Sequence, residues 1–207
     1  MTPQQQMILD AFNSEIYVSN RMDVQHTPIY DTFMVPQAGT LTTLNSALFT
    51  NVGPASGKTP AQTNMGQPQK LPAPEAFSIF AFRLRWAENI WRADIDNMLN
   101  NSAALAVGFC LEFWLGQKCY QRAPLWYFSA GGGLTGYTML AGDYIYTNGV
   151  ASREAMHKLA IPIVIENQTT FFAQFVGNAL LLTAAAAGGV GVTFQLLLDG
   201  LYARGVQ

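Results

Sequence analysis

Between Val190 and Leu198 every second side chain is apolar: Val190, Val192, Phe194, Leu196 and Leu198, with the run closing at Asp199-Gly200. A period of two places these side chains on one face of an extended strand, whereas a helix would spread them around its circumference. The same spacing recurs at Phe80, Phe82, Leu84 and Trp86, where Ala81, Arg83 and Arg85 supply the opposite face. It returns at Leu159, Ile161, Ile163 and Ile165, and after a turn at Glu166-Asn167-Gln168 it continues in Phe171, Ala173 and Phe175. Pro162 has no N–H to give a ladder, so its strand is expected at a sheet edge or a bulge.

Around these strands the chain divides into short elements. Ala104 to Trp114 and Tyr120 to Ser129 read as further strands, and Tyr144-Ile145-Tyr146 as a brief one closed by the Asn148-Gly149 turn. Two apolar islands, Ile29–Val35 and Leu41–Phe49, read as peripheral strands, and residues 53–74, with five prolines, as a long Pro/Gly-rich loop. Thr2-Pro3 with Gln5 starts a helix whose Ile8, Phe12 and Ile16 share a face. Trp91, Ile95, Met98 and Leu99 predict a short crossover helix, and Ser152 to His157 a single helical turn. About eight strands with turn signals between them, and no long crossover helices, predict a mainly β protein. The expected fold is an antiparallel β-sandwich or single jelly roll with two or three short helices. Residues 1–17 form an N-terminal amphipathic arm and residues 18–207 one domain.

Charge is scarce. Only 12% of the 207 residues are charged, with 11 Lys and Arg against 13 Asp and Glu, where about 25% is usual. With 50% hydrophobic residues, this composition excludes a disordered chain and a strongly basic nucleic-acid-binding domain. It suits a surface covered by lateral contacts, because interface cores are poor in charge and rich in aromatics. The uncharged window Ala179 to Leu198 is long enough to span a bilayer. Its Asn178 flank, Thr183, Thr193, Gln195 and Gly188-Gly189 make two strands joined by an Ala/Gly loop the better reading, so membrane contact is not expected. The N-terminus has neither a basic leader nor an apolar run, which predicts synthesis in the cytoplasm and leaves the sequons at Asn100 and Asn167 unused.

Motifs for chemistry are weak. Gly53-Pro54-Ala55-Ser56-Gly57-Lys58-Thr59 resembles a phosphate-binding loop but is one residue short, with Pro60 where the helix should grow, and reads as a surface loop. Gly131, Gly133 and Gly136 match G-x-G-x-x-G without a helix to follow, which predicts a turn region. His26 and His157 are far apart, and no Cys or His pair has zinc-ligand spacing. His157, beside Lys158 and Glu154, reads as a polar helix end. Asp94 and Asp96 read as solvated charges. Cys110 and Cys119, if on one strand, lie about 30 Å apart and stay free, buried thiols. Glu112 sits among Phe109, Leu111, Phe113 and Trp114; an apolar setting would raise its pKa, and pairing with Arg83 or Arg85 is the expected alternative. No catalytic residue, cofactor or metal is predicted.

The segment from Lys158 through Glu166-Asn167-Gln168 to Phe175 resembles the penultimate hairpin of viral jelly rolls. Val192 to Gln207 is similar to the closing strand of bacteriophage structural proteins. The resemblance covers about the last fifty residues and implies a non-enzymatic virion protein, a capsid or capsid-associated subunit that self-assembles and contacts other virion proteins. Many such proteins carry an Arg-rich arm for the genome, whereas this chain has no positive side chain before Arg21, so direct nucleic-acid binding is not expected. The candidate subunit contacts are Ile8, Phe12, Ile16, Trp126, Tyr127 and Tyr202. The alternative is a carbohydrate- or receptor-binding sandwich that uses exposed aromatics such as Trp126 and Tyr127.

Overall fold

The computed structural model describes residues 22–34, 39–41, 47–87, 108–130, 135–138, 144–147, 157–177, 180–182 and 193–205. Two antiparallel sheets pack as a sandwich. In the first, β1 (Met22–His26) and β2 (Ile29–Met34) run in succession along one side of the long C-terminal strand, Thr193–Gly205. On its other side lies β4 (Ala76–Ala87), followed by β9 (His157–Ile165) at the edge. The second sheet has the order β10 (Phe171–Gly177), β5 (Phe109–Leu115), β6 (Lys118–Pro124). Two small pairs complete the described strands: β3 (Gly39–Leu41) with β11 (Leu180–Leu182), and β7 (Thr135–Thr138) with β8 (Tyr144–Thr147). The Thr193–Gly205 strand is β12. From β4 to β5 and from β9 to β10 the chain passes from one sheet of the sandwich to the other.

The period-two residues build the core. Phe82 and Leu84 of β4 and Phe194, Leu196 and Leu198 of β12 face Phe109, Leu111 and Phe113 of β5 and Phe171, Ala173 and Phe175 of β10. Rings meet across the sheets: Phe82 stands 5.2 Å from Phe113, and Phe175 lies 5.4 Å from Phe194. Each fully buried Phe contributes roughly 1.5–3 kcal/mol of transfer free energy, so the alternation read from sequence is also the main source of stability.

The pattern breaks at two positions. Phe77 and Ile79 are buried, as are Phe82 and Leu84, but Phe80 is only partly buried. Gly200 pairs with Ile79 and Asp199 with Ala81, so Phe80 is the extra residue of a bulge that shifts the alternation by one. Opposite it, the register of β9 jumps from Ile163 to Lys158. Pro162 falls inside this jump on an edge strand, as its missing N–H requires, and Ile161 turns outward, 67% exposed, instead of joining Leu159, Ile163 and Ile165. The side chain of Trp86 lies outside the described residues.

Other expectations need correction. β9 and β10 are not a hairpin: β9 pairs with β4 and β10 with β5, so Glu166–Gln168 links the two sheets. Cys110 and Cys119 sit on two paired strands, not one; Cys119 is opposite Trp114 while Cys110 is opposite Pro124, and both thiols are free and half-buried. Two 3-10 turns, Pro54–Ser56 and Leu125–Phe128, are the complete helical elements among the described residues; Gly108, read from sequence as part of a strand over 104–114, is α-helical and directly precedes β5. The helices expected over 1–17 and 89–101 lie outside them, as do residues 152–156; His157, read as a helix end, opens β9. Among the described residues no helix is long and apolar enough to cross a membrane. Two ends of the uncharged window are strands, Leu180–Leu182 and the start of β12.

The 53–74 loop is tied to both sheets. The Asn64 side chain accepts from the Tyr30 N–H (2.9 Å) and donates to the Pro28 carbonyl (2.7 Å), closing the outer edge of β2. Gln69 N–H donates to the Phe49 carbonyl (2.8 Å), and the Gln69 carbonyl accepts from Phe171 N–H (2.8 Å). Paired backbone of this kind removes the exposed edge that would template uncontrolled strand addition.

Candidate functional site

The 3-10 turn Leu125–Phe128 presents aromatic surface by a simple anchoring geometry. Leu125 and Phe128 point into the core, so the two residues between them must point out: Trp126 is 61% exposed and Tyr127 46%. The Trp126 and Tyr127 rings stand perpendicular (89°) at 6.1 Å. Behind them lies His157, 4.4 Å from the Tyr127 ring and 5.5 Å from Phe128, which it meets edge to face. His157 Nε2 is buried and has no hydrogen-bond partner. Burial holds its pKa below the ordinary imidazole value, because an imidazolium there would lose water without gaining an acceptor. Sequence reading singled out Trp126 and Tyr127 but missed His157; its apolar neighbours come from a strand pairing and a turn distant in sequence.

A second polar cluster lies on the outer face of the second sheet. Glu112 is 3% exposed, yet its partners are neither Arg83 nor Arg85. Register places it opposite Arg122 on β6 and Gln174 on β10. Arg122 Nη2 lies 2.5 Å from Oε1, and Trp114 Nε1 and Gln174 Nε2 each donate to Oε2 at 2.8 Å. Burial pushes the carboxyl up, but the hydrogen bonds from Gln174, Trp114 and Arg122 and the Arg122 charge outweigh it, leaving the pKa below the usual value. This arrangement holds a carboxylate ionised and immobile. Arg83 instead pairs with Asp199 at 2.5 Å, on the face opposite Phe82, and His26 approaches Asp199 at 3.3 Å. Beside Glu112, Trp114 stacks on Phe172 at 6.2 Å with the rings 4° from parallel.

The phosphate-loop look-alike has a structural use. Lys58 turns inward, its Nζ 2.7 Å from Oδ1 of the buried Asp31, whose Oδ2 accepts the Phe49 N–H at 2.7 Å. Phe49 adopts φ +69°, a left-handed backbone uncommon outside glycine, which aims that N–H at the carboxylate. A pocket of about 520 Å³ opens above this pair, lined also by Thr50, Asn51, Gly57 and Gln62. The signal in sequence was an isolated acid in the apolar island Ile29–Val35.

Of the other candidate contacts, Ile8, Phe12 and Ile16 lie outside the described residues. Tyr202 is half-buried; its hydroxyl bonds the Glu75 carboxylate and its ring lies 5.9 Å from Phe77. Burial, with the Glu75 carboxylate, raises its pKa. Gly136 of the glycine cluster falls in β7, a strand instead of a turn; Gly131 and Gly133 lie outside the described residues. Among the described residues no group of three or more His, Cys, Asp and Glu side chains could hold a metal ion. No protein-family model matches the chain, and no curated protein matches it.

Proposed function

We propose that this chain is a non-enzymatic structural subunit of a virion that assembles laterally with copies of itself and with other virion proteins, and that the Leu125–Phe128 turn is one of its contacts. The observation that carries the reading is the turn itself: Leu125 and Phe128 anchor it while Trp126 and Tyr127 are held outside the core. Exposed large aromatics on a rigid anchor are the side chains that protein interfaces favour at their centres. The antiparallel sandwich and the low charge support the same reading. On this proposal the protein resides in the virion, contacts the genome through no basic arm, and turns over no substrate.

A second reading rests on the same turn. Perpendicular Trp126 and Tyr127 rings form a notch in which a sugar face could stack, making the domain a carbohydrate- or receptor-binding module. Light scattering of the full chain across a concentration series separates the two. Large discrete assemblies that fall to smaller species on Trp126→Ala support the subunit. A 22.6 kDa monomer at every concentration, with glycan binding that Trp126→Ala abolishes, supports the module.

A further inference from the structure

We propose that His157 is an acid-sensitive latch: while neutral it holds the Leu125–Phe128 turn against the start of β9, and protonation frees Trp126 and Tyr127 from their anchored pose. The inference rests on the subunit reading only where it concerns assembly; the latch itself is a property of the single chain. Its basis is geometry. His157 pairs in register with Phe82, so its ring is on the core side of β9. It contacts Tyr127 at 4.4 Å and stands at 89° to Phe128, the residue that roots the turn in the core. Nε2 is shut off from water and has no partner.

A neutral imidazole can leave one nitrogen bare as an acceptor, but an imidazolium carries a proton on both and needs somewhere to donate. In the anchored pose Nε2 has no hydrogen-bond partner to accept that proton. The turn contributes one titratable side chain, Tyr127. β4 contributes Phe82 opposite, while its Arg83 is engaged with Asp199 on the other face. On β9 itself the neighbour is Lys158, exposed and of like charge to an imidazolium. Aromatic faces attract a cation, yet they do not replace the hydrogen bond that a buried N–H loses. The route to relief is movement of the ring toward water. β9 can yield, since it is an edge strand whose ladder with β4 is already broken from Leu159 to Pro162.

The expected sign follows from linkage. Burial lowers the pKa in the anchored state, so the released state binds more protons below the ordinary imidazole value of about 6.5, and release grows by up to about tenfold per pH unit as acidity increases. The test is hydrogen exchange of the backbone amides in 125–129, corrected for intrinsic rates, on the full chain between pH 7.5 and 5.5. That window lies above the carboxylate range, so Glu112 stays ionised throughout. The wild type is expected to lose protection there as pH falls, while His157→Phe and His157→Gln stay level; using two variants guards against one that fails to fold. Equal loss in wild type and a folded variant, or no loss in the wild type, overturns the latch. Light scattering on the same samples then tests the contact. Assemblies that dissociate in acid only when His157 is present link the latch to assembly. Acid loss of protection in a chain that never assembles leaves the latch standing and removes the subunit reading.

Discussion

Gly200 lies so close to Ser78 that a Cβ on it would stand 1.9 Å from the Ser78 carbonyl oxygen. The contact sits at the bulge where the ladder between β12 and β4 shifts its alternation, and it lets backbone pass against backbone. No flexible side chain can yield there, so any larger residue must push two central strands apart.

Gly200→Ala is therefore expected to destabilise the fold by at least about 2 kcal/mol, near the upper part of the range for overpacking. Urea denaturation of the two proteins measures it. A change within 0.5 kcal/mol, roughly what a surface position tolerates, would mean that the bulge relaxes without cost.

The pair between Lys58 and Asp31 behaves as a buried latch on the 53–74 loop. Lys58→Met leaves the fully buried Asp31 carboxylate with the Phe49 N–H alone, and breaking a buried pair from one side costs about 3–5 kcal/mol. Asp31→Asn in that background, which removes the orphan charge, is expected to recover a large part of the loss. Thermal melts of the single and double variants give the coupling; additive losses would contradict it.

Glu112, on the outer face of the second sheet, is expected to contribute to acid stability. Its pKa is lower folded than unfolded, so near the ordinary carboxyl value the unfolded chain binds more protons. Its contribution is present above the unfolded pKa of about 4.3 and is lost as pH falls through the lower folded value. Glu112→Gln should flatten the stability profile below that point. Chemical denaturation at pH 7 and pH 3 reads the effect, and equal differences between the two proteins at both pH values would sink it.

Cys110 and Cys119 are expected to count as two free thiols per chain in denaturant without reductant, since their register separates them along the β5–β6 hairpin. In the native protein, burial, followed by the Glu112 charge, raises the Cys119 pKa, so it should react slowly with a disulfide reagent at neutral pH. Mass spectrometry of the timed reaction distinguishes the sites. Fast labelling of Cys119 would show that its strand opens readily.

Much of the sandwich is legible in the sequence. The faces of β10 and β12, the edge position of Pro162 and the outward pair of arginines on β4 all follow from alternation and from what proline cannot donate. Those are local rules, set within a few residues of each other. The site was legible only in part: Trp126 and Tyr127 stood out as aromatics, but nothing nearby in sequence marks them as the exposed half of a turn whose other half is core.

What the sequence determined alone was the kind of surface each strand carries, because side-chain direction in an extended chain has a period of two wherever the strand ends up. What only the tertiary structure decided was which strands became neighbours. Glu112 met Arg122 and Gln174 because β6 and β10 flank β5, and Arg83 met Asp199 because β12 runs beside β4. Phe80 and Ile161 left the core because two strands of unequal count were matched at a bulge. Pairing of this sort is settled by packing two sheets around one core, over separations that no local pattern encodes.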